Sequence, residues 1–254
     1  MIITTAVIKG GTGKTTTAAA LAQAAAKDRK KVLCIDLDPQ GNFTAFLSAD
    51  PNAPGAYQLI EGRPAAGLIQ TTGQKIDVIP GSPDLATLKT SPGSAERLNR
   101  ALEPLKSKYD VIIIDTPPTI GEMTYNALYT ADVLLIPLEG DTGSLQGFYQ
   151  ITDIAGQIIQ SAPAARLSFI GALLTRYDKR SKFSKHMKET IKQAAEDTGA
   201  HYMGEIRAGI AIREAQGLQV SLYDYAPQSK PAQDYTALYK AVKKYKKSNS
   251  TQEV

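Results

Sequence analysis

The chain has 254 residues and a formal net charge of +4, and its 43% hydrophobic content is enough to bury a core, which excludes disorder as the main state. One cysteine and two histidines exclude a disulfide framework and leave little for a zinc or iron–sulfur site. Because no apolar run approaches the roughly 20 residues of a membrane helix and no signal-peptide pattern opens the chain, we expect a cytoplasmic protein.

Short, β-branched apolar runs alternate with segments of helical periodicity. The apolar runs predict strands at residues 2–8, 32–37, 76–80, 111–115, 133–138, 167–175 and 201–206. The periodic segments predict helices at residues 15–26, 94–106, 125–130, 145–161, 181–197 and 234–247. Since runs such as VIIIDT and VLLIPL are apolar on both faces, the alternation predicts a three-layer α/β fold with a mainly parallel sheet between helices.

The charged residues are unevenly distributed along the chain. Residues 1–175 hold 14 basic and 16 acidic side chains, whereas residues 176–254 hold 15 basic and nine acidic ones. No low-complexity linker separates the two parts, so we expect one domain over residues 1–248 and a flexible tail over residues 249–254.

The segment KGGTGKTT joins the first predicted strand to an alanine-rich helix. Its members are Lys9, Gly10, Gly11, Thr12, Gly13, Lys14, Thr15 and Thr16. The glycines let backbone amides close on phosphate oxygens, and the start of the helix adds its positive dipole end. Lys14 is placed to reach the β- and γ-phosphates of a nucleotide, and the Thr15 hydroxyl is placed to ligate Mg²⁺.

Acidic residues end two of the predicted strands. Alternation along the second strand sends Asp36 and Asp38 to the same side, so both can face the phosphate end. Carboxylates there either orient an attacking water or hold Mg²⁺. Asp115 follows four apolar residues, as expected of a Walker B carboxylate that meets Mg²⁺.

The phosphate loop departs from the general pattern GxxxxGK[ST]. Ile8 holds the place of the first glycine, and Lys9 directly precedes the glycine pair. This form resembles the deviant Walker A box of the ParA/MinD family of ATPases, and DLDPQG at 36–41 is similar to the second box of that family. Further similar stretches lie at 79–82, 173–180, 213–216 and 229–235, so the resemblance covers nearly the whole chain and is closest to small ParA-type partition ATPases.

The resemblance implies a P-loop NTPase fold, ATP and Mg²⁺ as cofactors, and a nucleotide-dependent homodimer in which Lys9 reaches the ATP of the partner subunit. It assigns catalytic roles to Lys9, Lys14 and Asp38, metal roles to Thr15, Asp36 and Asp115, and adenine contacts to Thr175 and Arg176. Within this set, Asp38 is the water-activating carboxylate and Asp36 has an outer-shell metal role.

The basic part of the chain is a candidate DNA surface. On a helix from Ser181, the apolar residues Phe183, Met187 and Ile191 recur every four positions and are expected to face the core. Lysines elsewhere on the helix can neutralise DNA phosphates without reading sequence, although an ordinary solvated face is the alternative. Together with arginines of similar family regions, the predicted DNA contacts are Arg180, Lys182, Lys185, Lys188, Arg207 and Arg213.

These residues predict an ATP-driven DNA partition switch associated with the nucleoid. The ATP-bound dimer binds non-specific double-stranded DNA, and a ParB-like centromere-binding partner stimulates hydrolysis and releases it. Two alternatives stay open, a MinD-like membrane-associated ATPase and a cargo-positioning ATPase. The last predicted helix has one mostly apolar stripe, formed by Tyr235, Leu238, Tyr239, Val242 and Tyr245. Because most of these residues are tyrosines, the stripe favours packing on the domain over membrane insertion, so no membrane is expected.

Overall fold

The structure is a computed structural model that describes residues 1–88, 93–162 and 164–249. The predicted tail beyond residue 249 lies outside the described residues. All strands of the described part belong to one sheet. We propose on this basis that residues 1–248 form a single domain.

Within the described residues, eight strands form the sheet in the order β3–β4–β2–β5–β1–β6–β7–β8. Their bounds are β1 Ile2–Thr5, β2 Val32–Asp36, β3 Gln70–Thr71, β4 Asp77–Ile79, β5 Val111–Asp115, β6 Val133–Leu138, β7 Phe169–Tyr177 and β8 His201–Arg207. Of the pairings described, only that of β3 with β4 is antiparallel. The predicted mainly parallel sheet is confirmed, and β3 is an edge strand that the sequence did not indicate.

Helices connect most of the strands. The α-helices are α1 Lys14–Lys27, α2 Asn42–Phe46, α3 Ala56–Ile60, α4 Arg97–Leu102, α5 Glu122–Thr130, α6 Thr142–Ser161, α7 Lys182–Asp197, α8 Ala211–Gly217, α9 Leu222–Tyr225 and α10 Lys230–Asn249. Short 3-10 helices lie at Ala65–Gly67, Pro83–Thr87, Ser94–Glu96 and Glu103–Leu105.

Two helical layers cover the two faces of the sheet. Neighbouring strand residues such as Ile2 and Ile3 enter different apolar clusters, because successive side chains of a strand point to opposite faces. Helices α1, α8, α9 and α10 contribute to the cluster on one face. Helices α3 to α7 contribute to the clusters on the other face. The predicted three-layer arrangement is confirmed.

One local prediction was met only in part, and another was wrong. The helix expected over residues 94–106 is broken into a 3-10 turn, α4 and a second 3-10 turn. Pro104 explains the end of α4 at Leu102, because proline lacks the N–H that would continue the helix and its ring clashes with the preceding turn. Phe183, expected in the core, is 59% exposed, because it lies in the first turn of α7 and the buried residues of that helix begin only at Met187.

The stripe of α10 packs on the domain, as the sequence predicts. Leu238 and Val242 are buried against the cluster that contains α1. Tyr235 is 1% exposed, and its hydroxyl lies 3.2 Å from Oγ1 of Thr17 in α1. No helix in the described part of the chain is long and apolar enough to span a bilayer. The apolar side of α10 is therefore occupied by the body of the protein.

We expect Leu238→Ala to lower the free energy of unfolding by about 2–5 kcal/mol, because it leaves a cavity at a side chain that is 2% exposed. Chemical denaturation of the full chain measures the change. Lys240→Ala, on the exposed side of the same helix, is the matched control and should stay within about 0.5 kcal/mol of the parent. Equal midpoints for the two variants would contradict the docking of α10.

Candidate nucleotide-binding site

The phosphate loop leaves the carboxyl end of β1 and enters α1. Gly11 and Gly13 have φ values of 82° and 94°, in the left-handed region where a side chain is strained. A Cβ atom at Gly10 or Gly11 would meet nothing within 4 Å, so the loop backbone borders open space. The buried hydroxyl of Thr12 has no hydrogen-bond partner within the described residues. This loop therefore forms a cradle of polar groups that can bind an anion.

Lys14 lies at the base of this cradle. Its side chain is buried, and its Nζ donates a hydrogen bond of 3.0 Å to the backbone oxygen of Lys9. Burial lowers the pKa of Lys14, while the nearby carboxylates of Asp115 and Asp38 oppose the change. The ammonium of Lys14 is thus attracted to Asp115 and Asp38, two of the three carboxylates that the sequence placed near the phosphates.

Asp115 ends β5 and is fully buried. Its carboxylate accepts hydrogen bonds from the hydroxyl of Thr15, at 2.7 Å, and from that of Thr5, at 3.0 Å. Burial and the neighbouring charge of Asp36 raise the pKa of Asp115 to about 7. The predicted metal residues Thr15 and Asp115 are therefore in direct contact.

Asp36 ends β2 and pairs in register with Asp115. Its carboxylate accepts hydrogen bonds from the backbone N–H and the hydroxyl of Thr44, at 2.9 and 2.8 Å, and from the backbone N–H of Asp38, at 3.0 Å. Burial raises the pKa of Asp36 to about 6, although these bonds oppose the rise. Asp36 thus holds the loop that carries Asp38, and its outer-shell metal role stays a prediction.

Asp38 lies just beyond β2 and is 7% exposed. Its carboxylate accepts a hydrogen bond of 3.0 Å from the backbone N–H of Gln40. Three buried carboxylates therefore share this edge, and Lys14 is the buried lysine among the described residues. Excess negative charge of this kind fits a divalent cation.

Within the described residues, no group of three or more His, Cys, Asp or Glu side chains could hold a metal by itself. A cation at this edge would therefore share the hydroxyl of Thr15 and the carboxylate of Asp115 with oxygens of a bound phosphate chain. This is the arrangement that the phosphate-loop pattern predicts.

Two supporting residues were not among the predicted site residues. The backbone N–H of Gly81, after β4, donates a 2.9 Å hydrogen bond to the hydroxyl of Thr44. A Cβ atom at Gly81 would lie 2.8 Å from the backbone oxygen of Asp38 and 2.9 Å from Cγ of Asp36. Only a glycine allows this approach, so the stretch IPGS at 79–82 fastens the acidic loop to the neighbouring strand.

A cavity of about 640 Å³ opens beside the phosphate loop, within the usual range for small ligands. Gly13 and Thr16 line one side, and Thr175 and Arg176 line another. The Thr175 hydroxyl lies 2.8 Å from the backbone oxygen of Thr12 and so ties β7 to the loop. The position of this cavity suits the base of a nucleotide whose phosphates lie in the loop.

The six predicted DNA contacts fall into two groups. Arg180, Lys182 and Lys185 are exposed around the start of α7. The other three are Lys188, Arg207 and Arg213. Lys188 forms an ion pair with Glu205, and Arg207 donates hydrogen bonds to both carboxylate oxygens of Asp234. Arg213 lines the cavity beside Arg207. In the first group Arg180 forms an ion pair with Asp178 at 3.2 Å, so Lys182 and Lys185 are the better placed for DNA phosphates.

Comparison with known proteins agrees with this geometry. A family model described as an AAA domain matches residues 1–167. The sporulation initiation inhibitor protein Soj of Bacillus subtilis is 35% identical and covers 92% of this chain and 94% of its own. The chromosome partitioning protein ParA of Myxococcus xanthus is 34% identical, covering 91% of this chain and 83% of its own.

The chain belongs to the ParA family of ATPases. A solved structure of Cyanothece McdA, a variant in complex with ATP, superposes with a TM-score of 0.83 at 27% identity and covers 96% of this chain and 95% of that one. The expected P-loop NTPase fold of the family is therefore confirmed.

In this ParA-family chain, we expect Gly81→Ala to push the acidic loop away from β4. The added methyl group should cost about 1–3 kcal/mol of stability and should slow ATP hydrolysis by displacing Asp38. Denaturation and a phosphate-release assay measure the two effects. Gly73→Ala is the matched control, because a Cβ atom there would meet nothing within 4 Å. Wild-type hydrolysis by Gly81→Ala would rule out this role.

Proposed function

We propose that the protein is an ATP-driven DNA partition switch that works as a nucleotide-dependent homodimer. The observation that carries this proposal is the meeting of Lys14, Asp38 and Asp115 at the phosphate loop. The chain that brings them together is 35% identical to Soj over nearly its whole length. The family resemblance makes Lys9 the residue that completes the site of the partner subunit.

ATP and Mg²⁺ fit the residues of this site. The glycine cradle and Lys14 bind the phosphate chain, and Thr15 and Asp115 hold the metal. Bound Mg²⁺ supplies positive charge that neutralises the β- and γ-phosphates. Asp38 orients the attacking water, because it is the carboxylate at this edge whose loop extends beyond the strand. Asp36 keeps that loop in place through Thr44 and the N–H of Asp38.

We expect Asp38→Ala to retain ATP and to hydrolyse it roughly 100-fold more slowly, because the water is no longer oriented. Lys9→Ala should bind ATP but lose ATP-dependent dimerisation and stimulated hydrolysis. Phosphate release and light scattering measure these effects. Lys31→Ala, an exposed lysine before β2, is the control for loss of charge. If Lys9→Ala keeps full dimerisation, the trans role of Lys9 is wrong.

The DNA surface in this proposal is the start of α7. Exposed cations at Lys182 and Lys185 bind phosphates without reading bases, and dimerisation doubles the surface. Arg180, Lys188 and Arg207 were also predicted to contact DNA, yet each has an acidic partner within the chain. Release of that partner would weaken any contact with DNA.

We expect DNA binding that requires ATP and weakens log-linearly with salt. Replacing both Lys182 and Lys185 by alanine should reduce the slope of log affinity against log salt concentration by about 2, because roughly one counterion per lost contact is no longer released. The affinity for DNA should fall about ten-fold. Fluorescence anisotropy on random-sequence duplex across salt measures this. Lys108→Ala, an exposed lysine distant in the fold, is the control. An unchanged slope in the double variant would contradict the assignment of α7.

The partner in this proposal is a ParB-like centromere-binding protein that stimulates hydrolysis and so releases the dimer from the nucleoid. Relatives named as chromosome partitioning proteins support it. The membrane alternative needs an exposed apolar face on the last helix, but the apolar stripe of α10 is buried against the domain. Sedimentation with anionic vesicles and ATP tests it directly. The cargo-positioning alternative uses the same residues, and the identity of the stimulating partner separates it from DNA partition.

A further inference from the structure

Lys9 forms a close ion pair within its own subunit. Its Nζ lies 2.6 Å from both carboxylate oxygens of Asp141 and 3.4 Å from the hydroxyl of Ser144. The side chains of Lys9 and Asp141 are 32% and 38% exposed, so the pair lies at the surface. The ammonium is therefore held at the start of α6.

Asp141 has a second task at the same place. It is the N-cap of α6, and its Oδ1 accepts a 2.8 Å hydrogen bond from the backbone N–H of Ser144. Burial raises the pKa of Asp141, but hydrogen bonds from Lys9 and from the N–H of Ser144 outweigh it and hold that pKa below its usual value. The carboxylate is therefore charged at neutral pH with or without a partner cation.

This double role makes the ion pair reversible. When Lys9 leaves, Asp141 keeps the N–H of Ser144 and the positive end of the α6 dipole, so no carboxylate is stranded. Gly143 adds room, since a Cβ atom there would lie 3.5 Å from Nζ of Lys9 and 3.4 Å from Oδ1 of Asp141. The lysine can swing out without moving the helix.

An ammonium bound to Asp141 cannot at the same time bind a nucleotide in a second subunit. We propose that Asp141 is a positioning residue that retains Lys9 within its own subunit and so sets the protein concentration at which the ATP-bound dimer forms. The inference rests on the proposed trans role of Lys9. A partly exposed ion pair is weak and should lower the availability of each lysine roughly three-fold. Because the dimer uses two lysines, the protein concentration needed for dimerisation should rise about ten-fold.

Replacement of Asp141 by Asn tests this, because asparagine keeps the helix cap and removes the charge. With Mg²⁺ and a non-hydrolysable ATP analogue, we expect Asp141→Asn to dimerise at about ten-fold lower protein concentration than the wild type. Analytical ultracentrifugation of the full chain measures the threshold. Asp141→Ser, a second capping residue without charge, should behave alike. Asp153→Asn, an equal charge change on the same helix, should leave the threshold unchanged.

A second readout reports the ion pair without any dimer. In nucleotide-free protein, limited acylation followed by mass spectrometry should label Lys9 about three-fold faster in Asp141→Asn than in Asp153→Asn. Wild-type labelling together with a wild-type threshold in both Asp141 variants would overturn the proposal. A lower threshold without faster labelling would also overturn it, since the effect would not pass through Lys9.

The outcome of Lys9→Ala separates this inference from the proposed function. If Lys9→Ala dimerises like the wild type, the trans role itself fails and Asp141 has nothing to regulate. If Lys9→Ala does not dimerise and the Asp141 variants match the wild type, only the retention by Asp141 is wrong.

Discussion

The pairing of β2 with β5 brings two carboxylates, Asp36 and Asp115, side by side inside the protein. Parallel register places the last residues of both strands at the same edge, and the apolar runs before them bury that edge. Burial raises the pKa of both carboxyls, and the charge of Asp36 raises that of Asp115 further. The phosphate loop, with Lys14 and the Thr15 hydroxyl, offsets part of the cost of burying these charges. A metal–nucleotide complex neutralises the remaining charge, so its binding is favourable before hydrolysis begins.

The remaining parts of the site depend on this edge. The loop that carries Asp38 has few bonds of its own and is held by Asp36 through Thr44. The end of β4 supports it only because Gly81 lets two backbones approach closely. Placement of Asp38 therefore rests on contacts among the end of β2, α2 and the segment after β4, whereas the strands supply the rigid frame.

The sequence predicted the frame well, and it singled out the motif residues, because both have local patterns. Buried parallel strands are continuous apolar runs, and phosphate loops need glycines at fixed spacing. The supporting residues carry no such pattern. Thr5 and Asp115 are 110 residues apart and Lys9 and Asp141 are 132 apart, so only the folded chain joins them. Phe183 has the periodicity of a core residue, yet periodicity cannot say where the layer beneath a helix ends.

The last helix is also a wall of the nucleotide cavity. Tyr235 lines that cavity and bonds to Thr17 of α1, and Asp234 binds Arg207 on the cavity's far side. Deleting the C-terminal segment would therefore open the base site as well as remove lysines. Loss of function in a truncated chain would therefore reflect impaired nucleotide binding, whatever the exposed surface of the missing helix does. Single substitutions on the exposed side of α10 test the role of that surface without opening the cavity.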